Sequence, residues 1–320
     1  MSNGRADCIY LLWLKYPINI VLTEDFMKPY RIFSDSSCDL TQELLDQYNI
    51  TTIPFYVSFD QETYQKEIID ISIPDFYHRL TTEKVYPKTS LPSVEDYCDK
   101  FEEAILAGYD VLCLNITLKF SGSHQSAMNA KSILEEKYPK SNIKVVDSLL
   151  CTGGQGLLLL EAAKMHEAGY SLTDNVAKLL ELRETGRVMF TLGTLEYLQK
   201  GGRIGKVSAL AGSLLNLKPL IVLEDGELAP YGKVRGFKKA IDKVYDMIAE
   251  YFKNNNLDYN DYEFCVITGT NFDEASTFLE KLPSIINQPI IHPIFTLGTT
   301  IGTYTGPDIV GACFIRKYNA

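Results

Sequence analysis

The chain has 320 residues, 46% of them apolar and 22% charged, enough material to bury the core of one large domain or two ordinary ones. Its 41 acidic against 31 basic side chains leave a formal net charge of −10, which argues against non-specific nucleic-acid binding, because that rests on neutralising phosphates with many Lys and Arg. The 7 cysteines are odd in number and never spaced C-x-x-C, which argues against a disulfide framework and for reduced, buried thiols in a cytoplasmic protein.

Residues 9–22 are apolar, but the run is short and broken by Lys15 and Pro17, below the ~20 residues that span a bilayer. Thr23-Glu24-Asp25 offers no signal-peptide cleavage site. Residues 1–26 therefore read as an extension or accessory segment, with Met27 a natural start. Residues 30–34 form a short apolar strand, followed by Asp35-Ser36-Ser37-Cys38-Asp39 and a helix over 41–48. Residues 53–59 alternate as a strand that 64–68 can pair with. Ile73-Pro74 opens a helix to Leu80, since proline suits a first helical turn. Residues 89–93 read as a loop, and Ser93 with Asp96 starts a helix to Leu106 by the N-cap-and-acid pattern.

Residues 111–116 are a continuous apolar run, as in a strand buried on both faces. A helix through Tyr138, a strand over 143–146, and a buried helix over 157–163 follow. Strands alternating with helices across long crossovers indicate an α/β fold whose first domain, residues 27–168, has a mostly parallel sheet. Beyond Gly169, helices over 172–184, 238–252 and 273–282 alternate with strands over 188–192, 264–268, 289–295 and 310–315. A hairpin signal makes this second α/β domain, residues 169–320, mixed, with a ligand cleft expected between the two.

That signal lies in residues 194–236, the densest stretch of local instructions. A short helix around Leu195, Tyr197 and Leu198 is stopped by Gly201-Gly202, because glycine takes the left-handed position without steric cost. Arg203 and Lys206 stand in the glycine-flanked loop beyond, and residues 209–215 suit a second short helix. Pro219 keeps Lys218 extended, and Asp225-Gly226 is a hairpin turn between 221–223 and 227–229.

Five strand ends carry small hydroxyl or glycine residues: Asp35-Ser36-Ser37, Ser121-Gly122-Ser123, Asp147-Ser148, Thr191 with Gly193-Thr194, and Thr299-Thr300 with Thr303. Each alone serves as a helix cap. Together, at one sheet edge, they favour a small polar or anionic group held where helix N-termini point. The 4 histidines form no metal-binding spacing. No Walker loop, dinucleotide fingerprint or nucleophile elbow occurs. His124 follows Ser121 by three residues and could serve it as a base, but no base-orienting acid is visible, and a half-exposed lining residue is the plainer reading.

The motifs Asp35-Ser36-Ser37-Cys38-Asp39-Leu40, Thr89-Ser90-Leu91-Pro92-Ser93, Phe120-Ser121-Gly122-Ser123-His124, Val146-Asp147-Ser148, Gly201-Gly202-Arg203-Ile204 and Gly302-Thr303-Tyr304-Thr305-Gly306-Pro307 stand in order along the chain. With them the chain resembles the DegV family, bacterial fatty-acid-binding proteins that serve fatty acid kinase. The resemblance implies two α/β domains with one long-chain fatty acid buried between them. It implies a carrier without catalysis or cofactor of its own, which presents the carboxylate for acyl-phosphate formation and delivers the product to phospholipid synthesis. The partners it implies are the kinase, an acyltransferase and transient membrane contact. Carried over by motif, Thr89 and Ser121 would hold the carboxylate, with Ser90, Gly122 and Tyr304 close by. Arg203 and Gly202, with Asp35 and Ser36, would form the pocket rim or partner contact. Tyr304 stands where members typically have histidine, and Asp308 where glycine is usual; a phenol is neutral, larger and donates one hydrogen bond. The alternative is a serine-dependent hydrolase or a kinase-like substrate-binding subunit.

Overall fold

The computed structural model describes residues 28–83, 85–210 and 216–320. The expected extension at 1–26 and most of the helix expected over 209–215 lie outside the described residues.

The chain runs through β1 (Tyr30–Asp35), α1 (Gln42–Gln47), β2 (Ile50–Ile53), β3 (Tyr56–Ser58), β4 (Gln65–Lys66), α2 (Ile73–Thr82), β5 (Lys88–Ser90), α3 (Val94–Leu106), β6 (Asp110–Asn115), α4 (Ser123–Lys137), β7 (Ile143–Asp147) and α5 (Thr152–Glu167). It continues through α6 (Leu172–Leu182), β8 (Arg187–Leu192), α7 (Glu196–Gly201), β9 (Leu217–Glu224), β10 (Glu227–Arg235), α8 (Phe237–Asn254), β11 (Tyr262–Thr268), α9 (Phe272–Lys281), α10 (Pro283–Ile286), β12 (Phe295–Thr296), α11 (Thr299–Thr305) and β13 (Ile309–Arg316).

The fold is α/β. The first sheet, β2-β1-β6-β7, is entirely parallel, and β6 is buried along its whole length, as its unbroken apolar run requires. The second sheet, β10-β9-β8-β13-β11-β12, is mixed: antiparallel except for the β11–β12 pair. A small antiparallel sheet, β4-β3-β5, stands beside them. Helices α3 and α4 cover one face of the first sheet through Phe33, Phe101 and Ala127. Helix α8 covers the outer face of the second through Val244, Ile248 and Phe314. Between the sheets lies α5, buried continuously from Thr152 to Ala163. A helix apolar all round belongs in a core. One apolar cluster runs through it from Leu112 and Leu114 of the first sheet to Val188, Ile221 and Ile267 of the second.

Local chemistry explains most boundaries. Ser93 and Asp96 form the reciprocal capping box at α3. Gly202 ends α7 in the left-handed region at φ 72. Asp225 and Gly226 both have positive φ, the signature of the tight hairpin turn, and the strands it joins are longer than expected. Three expectations are corrected. The single strand over 53–59 divides at Pro54, which fixes φ and donates no hydrogen bond: β2 joins the parallel sheet and β3 the small one. Part of the loop expected over 89–93 is β5, paired with β3. The strand expected over 289–295 reduces to β12 because Pro289 and Pro293 remove ladder donors.

Candidate functional site

The carboxyl ends of β6 and β7 open onto a cavity of about 220 Å³ between the two large sheets. After β6 come Ile116, Phe120, Ser121 and Gly122; after β7 come Cys151 and Thr152. Val188, Phe190, Ile267 and Ile309 of the second sheet face them. Phe55, Leu198, Leu228, Leu297 and Ile301 complete a predominantly apolar wall. The small sheet contributes Thr89 and Ser90, and α11 contributes Thr300, Tyr304 and Thr305.

Thr89, Ser90, Ser121, Gly122, Tyr304 and Arg203, named from the sequence, all line this one cavity. Thr89 Oγ1 and Tyr304 OH share a 2.7 Å hydrogen bond that ties the small sheet to α11. Ser121 Oγ accepts the Ser123 N–H at 3.2 Å, which leaves its own proton free to donate. Arg203 is exposed. Its guanidinium lies 5.0 Å above the Tyr304 ring and donates to the carbonyls of Phe120 (3.3 Å) and Gly201 (2.9 Å). A shallower groove of about 620 Å³ adjoins the cavity through Phe120, Ser121, Gly122, Arg203 and Leu228, and Gly202 lines it. There Lys119 and Lys206 both pair with Glu227, at 3.0 and 2.8 Å.

Asp35 and Ser36 are not at the rim. Their exposures are 0% and 4%. Asp35 accepts from Ser37, Gln155, Asn115 and Ser123 side chains and from the Ile116 N–H. A buried carboxylate needs such a set of donors to offset its lost hydration. It fixes Ile116 and Ser123, which flank the Phe120-Ser121-Gly122 loop, from behind the site. Ser36 donates to Glu67 and accepts the Phe55 N–H at 2.9 Å.

The five hydroxyl clusters do not converge as expected: only Ser121-Gly122 and Thr300 reach the cavity. Of the others, Thr191 bonds to the Pro219 carbonyl, Ser148 to that of Leu150, Ser36 to Glu67, and Ser37 to Asp35 and Gln155, while Thr299 Oγ1 is buried without a partner among the described residues. No hydrogen bond joins Ser121 to His124 among the described residues. The His124 Nδ1 is buried without a partner, and burial lowers the pKa of its ring. Among the described residues no group of three or more His, Cys, Asp or Glu is placed to hold a metal ion, and no helix is long and apolar enough to cross a membrane. Cys38, Cys98, Cys113, Cys151, Cys265 and Cys313 are free thiols; Cys8 lies outside the described residues.

Sequence reasoning missed the acidic pair behind α11. Asp39 accepts the Gly298 N–H at 2.9 Å, and Glu67 accepts both the backbone N–H (3.1 Å) and the hydroxyl (2.9 Å) of Thr300. Burial raises the pKa of both carboxyls. Thr152 was missed too, although the strand-then-glycine pattern before Gly153-Gly154 marks its place.

The model of the family described as "Uncharacterised protein, DegV family" matches residues 29–317. A DegV domain-containing protein of Caldanaerobacter subterraneus subsp. tengcongensis is 32% identical over 294 residues, 91% of this chain and 100% of that protein. The crystal structure of a stearic acid-binding protein from Eubacterium ventriosum matches with a TM-score of 0.86 and 38% identity, over 91% of this chain and 99% of that one. A fatty-acid-binding DegV family protein from Thermus thermophilus matches with a TM-score of 0.79 and 29% identity, over 90% and 99%. By family model and by relatives across nearly its whole described length, the chain belongs to the DegV family.

Proposed function

We propose that the protein is a carrier that binds one long-chain fatty acid in the cavity between its sheets and presents the carboxylate to a fatty acid kinase. One observation carries the reading: a predominantly apolar cavity whose sequence-named polar groups, Thr89, Ser90, Ser121, Tyr304 and Arg203, share one wall system with no nucleophile–base pair among them. Burying an acyl chain gains roughly 0.8 kcal/mol per CH₂, so a chain of ordinary length supplies ample affinity. The carboxylate then needs only enough donors to offset desolvation. The Ser121 hydroxyl donates to it, as does whichever of Thr89 and Tyr304 accepts their mutual hydrogen bond and so keeps its own proton; Ser90 and the Gly122 backbone stand close, and Arg203 contributes positive charge at the mouth.

Residues 27–168 and 169–320 act as the two domains that close on the ligand. The kinase approaches at the groove of Gly202, Arg203 and Lys206. The carrier shields the acyl phosphate, which water would hydrolyse, and delivers it to an acyltransferase, with transient membrane contact at the exposed Leu118 and Lys119 of the same groove. An ATP-dependent partner implies the cytoplasm. The hydrolase alternative gains nothing from geometry, since Ser121 and His124 are not joined. Reconstitution with a fatty acid kinase, ATP and oleate tests the reading. Acyl-phosphate formation that requires this protein is expected. Tight oleate binding without any stimulation of the kinase would overturn the presenting role while leaving the binding role intact.

A further inference from the structure

Thr152 stands apart from the other hydroxyls of the cavity. It is 2% exposed and lines the cavity wall at the first position of α5, yet its Oγ1 has no hydrogen-bond partner among the described residues. Its neighbours on that wall are engaged. Thr300 gives its hydroxyl to Glu67, Thr305 gives its own to the Ile301 carbonyl, and Thr89 is paired with Tyr304. An unpaired buried hydroxyl carries its full desolvation penalty, and an aliphatic chain laid against it offers no relief.

Two further features gather at the same point. The 16-residue helix α5 begins here, its N-cap Cys151 supplying no side-chain cap, so the helix presents its positive end to the cavity. Behind Thr152 lies Asp39, 9% exposed, whose Oδ2 also lacks a partner. Burial pushes the Asp39 carboxyl well above its usual range; the Thr152 hydroxyl lies close enough to lower it again but not in the geometry of a hydrogen bond. Thr152 also sits at φ 47, a region a β-branched residue rarely takes.

We infer that Thr152, with Asp39 behind it, forms a second polar subsite inside the acyl cavity, one that takes a hydroxyl carried along the chain of a long-chain fatty acid. This rests on the fatty-acid reading of the cavity and names its ligand class more closely. A ligand hydroxyl that donates to Thr152 Oγ1 leaves the single Thr152 proton to turn toward Asp39 Oδ2, so each orphaned atom gains a partner. A second carboxylate is disfavoured, because it would enter beside the acidic Asp39 and Glu67. A site with a polar group waiting for a hydroxyl discriminates against the analogue that lacks one.

Octadecanoates bearing one hydroxyl at successive positions are titrated against plain stearate, on the wild type and on Thr152→Val and Thr152→Ser. At least one positional isomer is expected to bind wild type at least about fivefold more tightly than stearate. That ratio should fall to about one in Thr152→Val, which keeps the shape but not the hydroxyl, and return in Thr152→Ser. Stearate binding with no isomer favoured in the wild type overturns the subsite and leaves the carrier reading standing; this comparison needs no variant to fold. Binding of neither stearate nor any isomer overturns the carrier reading and the subsite together.

Discussion

Gly201→Ala sets helix propensity against the geometry of the site. Gly201 is the last residue of α7, and alanine in a helix is favoured over glycine by about 0.5–1 kcal/mol. An added Cβ, however, would fall 2.2 Å from Tyr304 Cδ1 and 2.6 Å from Cε1. The obstacle is a rigid ring, pinned at its hydroxyl by Thr89 (2.7 Å) and covered by the Arg203 guanidinium at 5.0 Å. The ring must swing away, which breaks the Thr89 bond at about 0.5–1.5 kcal/mol and adds overpacking strain of about 1–3 kcal/mol. The net expectation is a destabilisation of about 1–3 kcal/mol, a fall in Tm of several degrees. Losing the Tyr304 donor should also raise the stearate Kd about tenfold. Differential scanning calorimetry and a competition binding assay read the two effects. A variant that is more stable than wild type and binds stearate equally well would show that Tyr304 neither occupies this position nor serves the ligand.

Three other perturbations separate site from scaffold. Arg203→Ala removes an exposed side chain bonded only to two carbonyls, so stability should hold within about 1 kcal/mol while kinase-dependent phosphorylation or acyl exchange slows; unchanged rates with a lowered Tm would mark Arg203 as structural. Glu263 is held down to about 2 despite its burial, through His292 and Lys164, against about 4.3 unfolded. Its contribution, on the order of 3 kcal/mol, is present above the unfolded value and lost as pH falls toward 2. Urea titrations at pH 5 and pH 3 should therefore show a smaller loss in Glu263→Gln than in wild type, and equal losses would refute the assignment. Gly298→Ala is permitted by its backbone (φ −69), but the new Cβ would meet Glu67 Oε1 at 2.2 Å and Asp39 Oδ1 at 3.0 Å. Displacing those carboxyls should cost more than about 2 kcal/mol by urea denaturation; wild-type stability would contradict their close approach to α11.

What could be read from the sequence was local. The Ser93–Asp96 capping box, the Gly202 stop and the Asp225-Gly226 turn are decided within a few residues, and each forms where its chemistry demands. The apolar run of β6 announced a buried parallel strand for the same reason. Motif likeness brought Thr89, Ser121, Tyr304 and Arg203 to one site from four distant stretches, which no spacing rule could have done. Burial was the hidden variable. Asp35 and Ser36 carry the polar look of a rim, but a residue type does not say which donors will surround it. Only the fold brings Gln155, Asn115 and Ser123 to Asp35. Thr152, Asp39 and Glu67 went unseen likewise, because an unpaired hydroxyl or a pair of neighbouring buried carboxyls is a property of residues far apart in the chain. Pro54 and the prolines of 289–295 were legible, and weighing their missing donors would have divided one strand and shortened the other.

Native mass spectrometry of the purified protein, before and after incubation with stearate or oleate, tests the central claim most directly. A single added mass of one long-chain acyl species per chain is expected, retained under gentle activation and weakened in Ser121→Ala and Thr89→Val. A protein that carries no acyl species as purified and takes up neither acid would contradict the binding of a fatty acid in the cavity between the sheets.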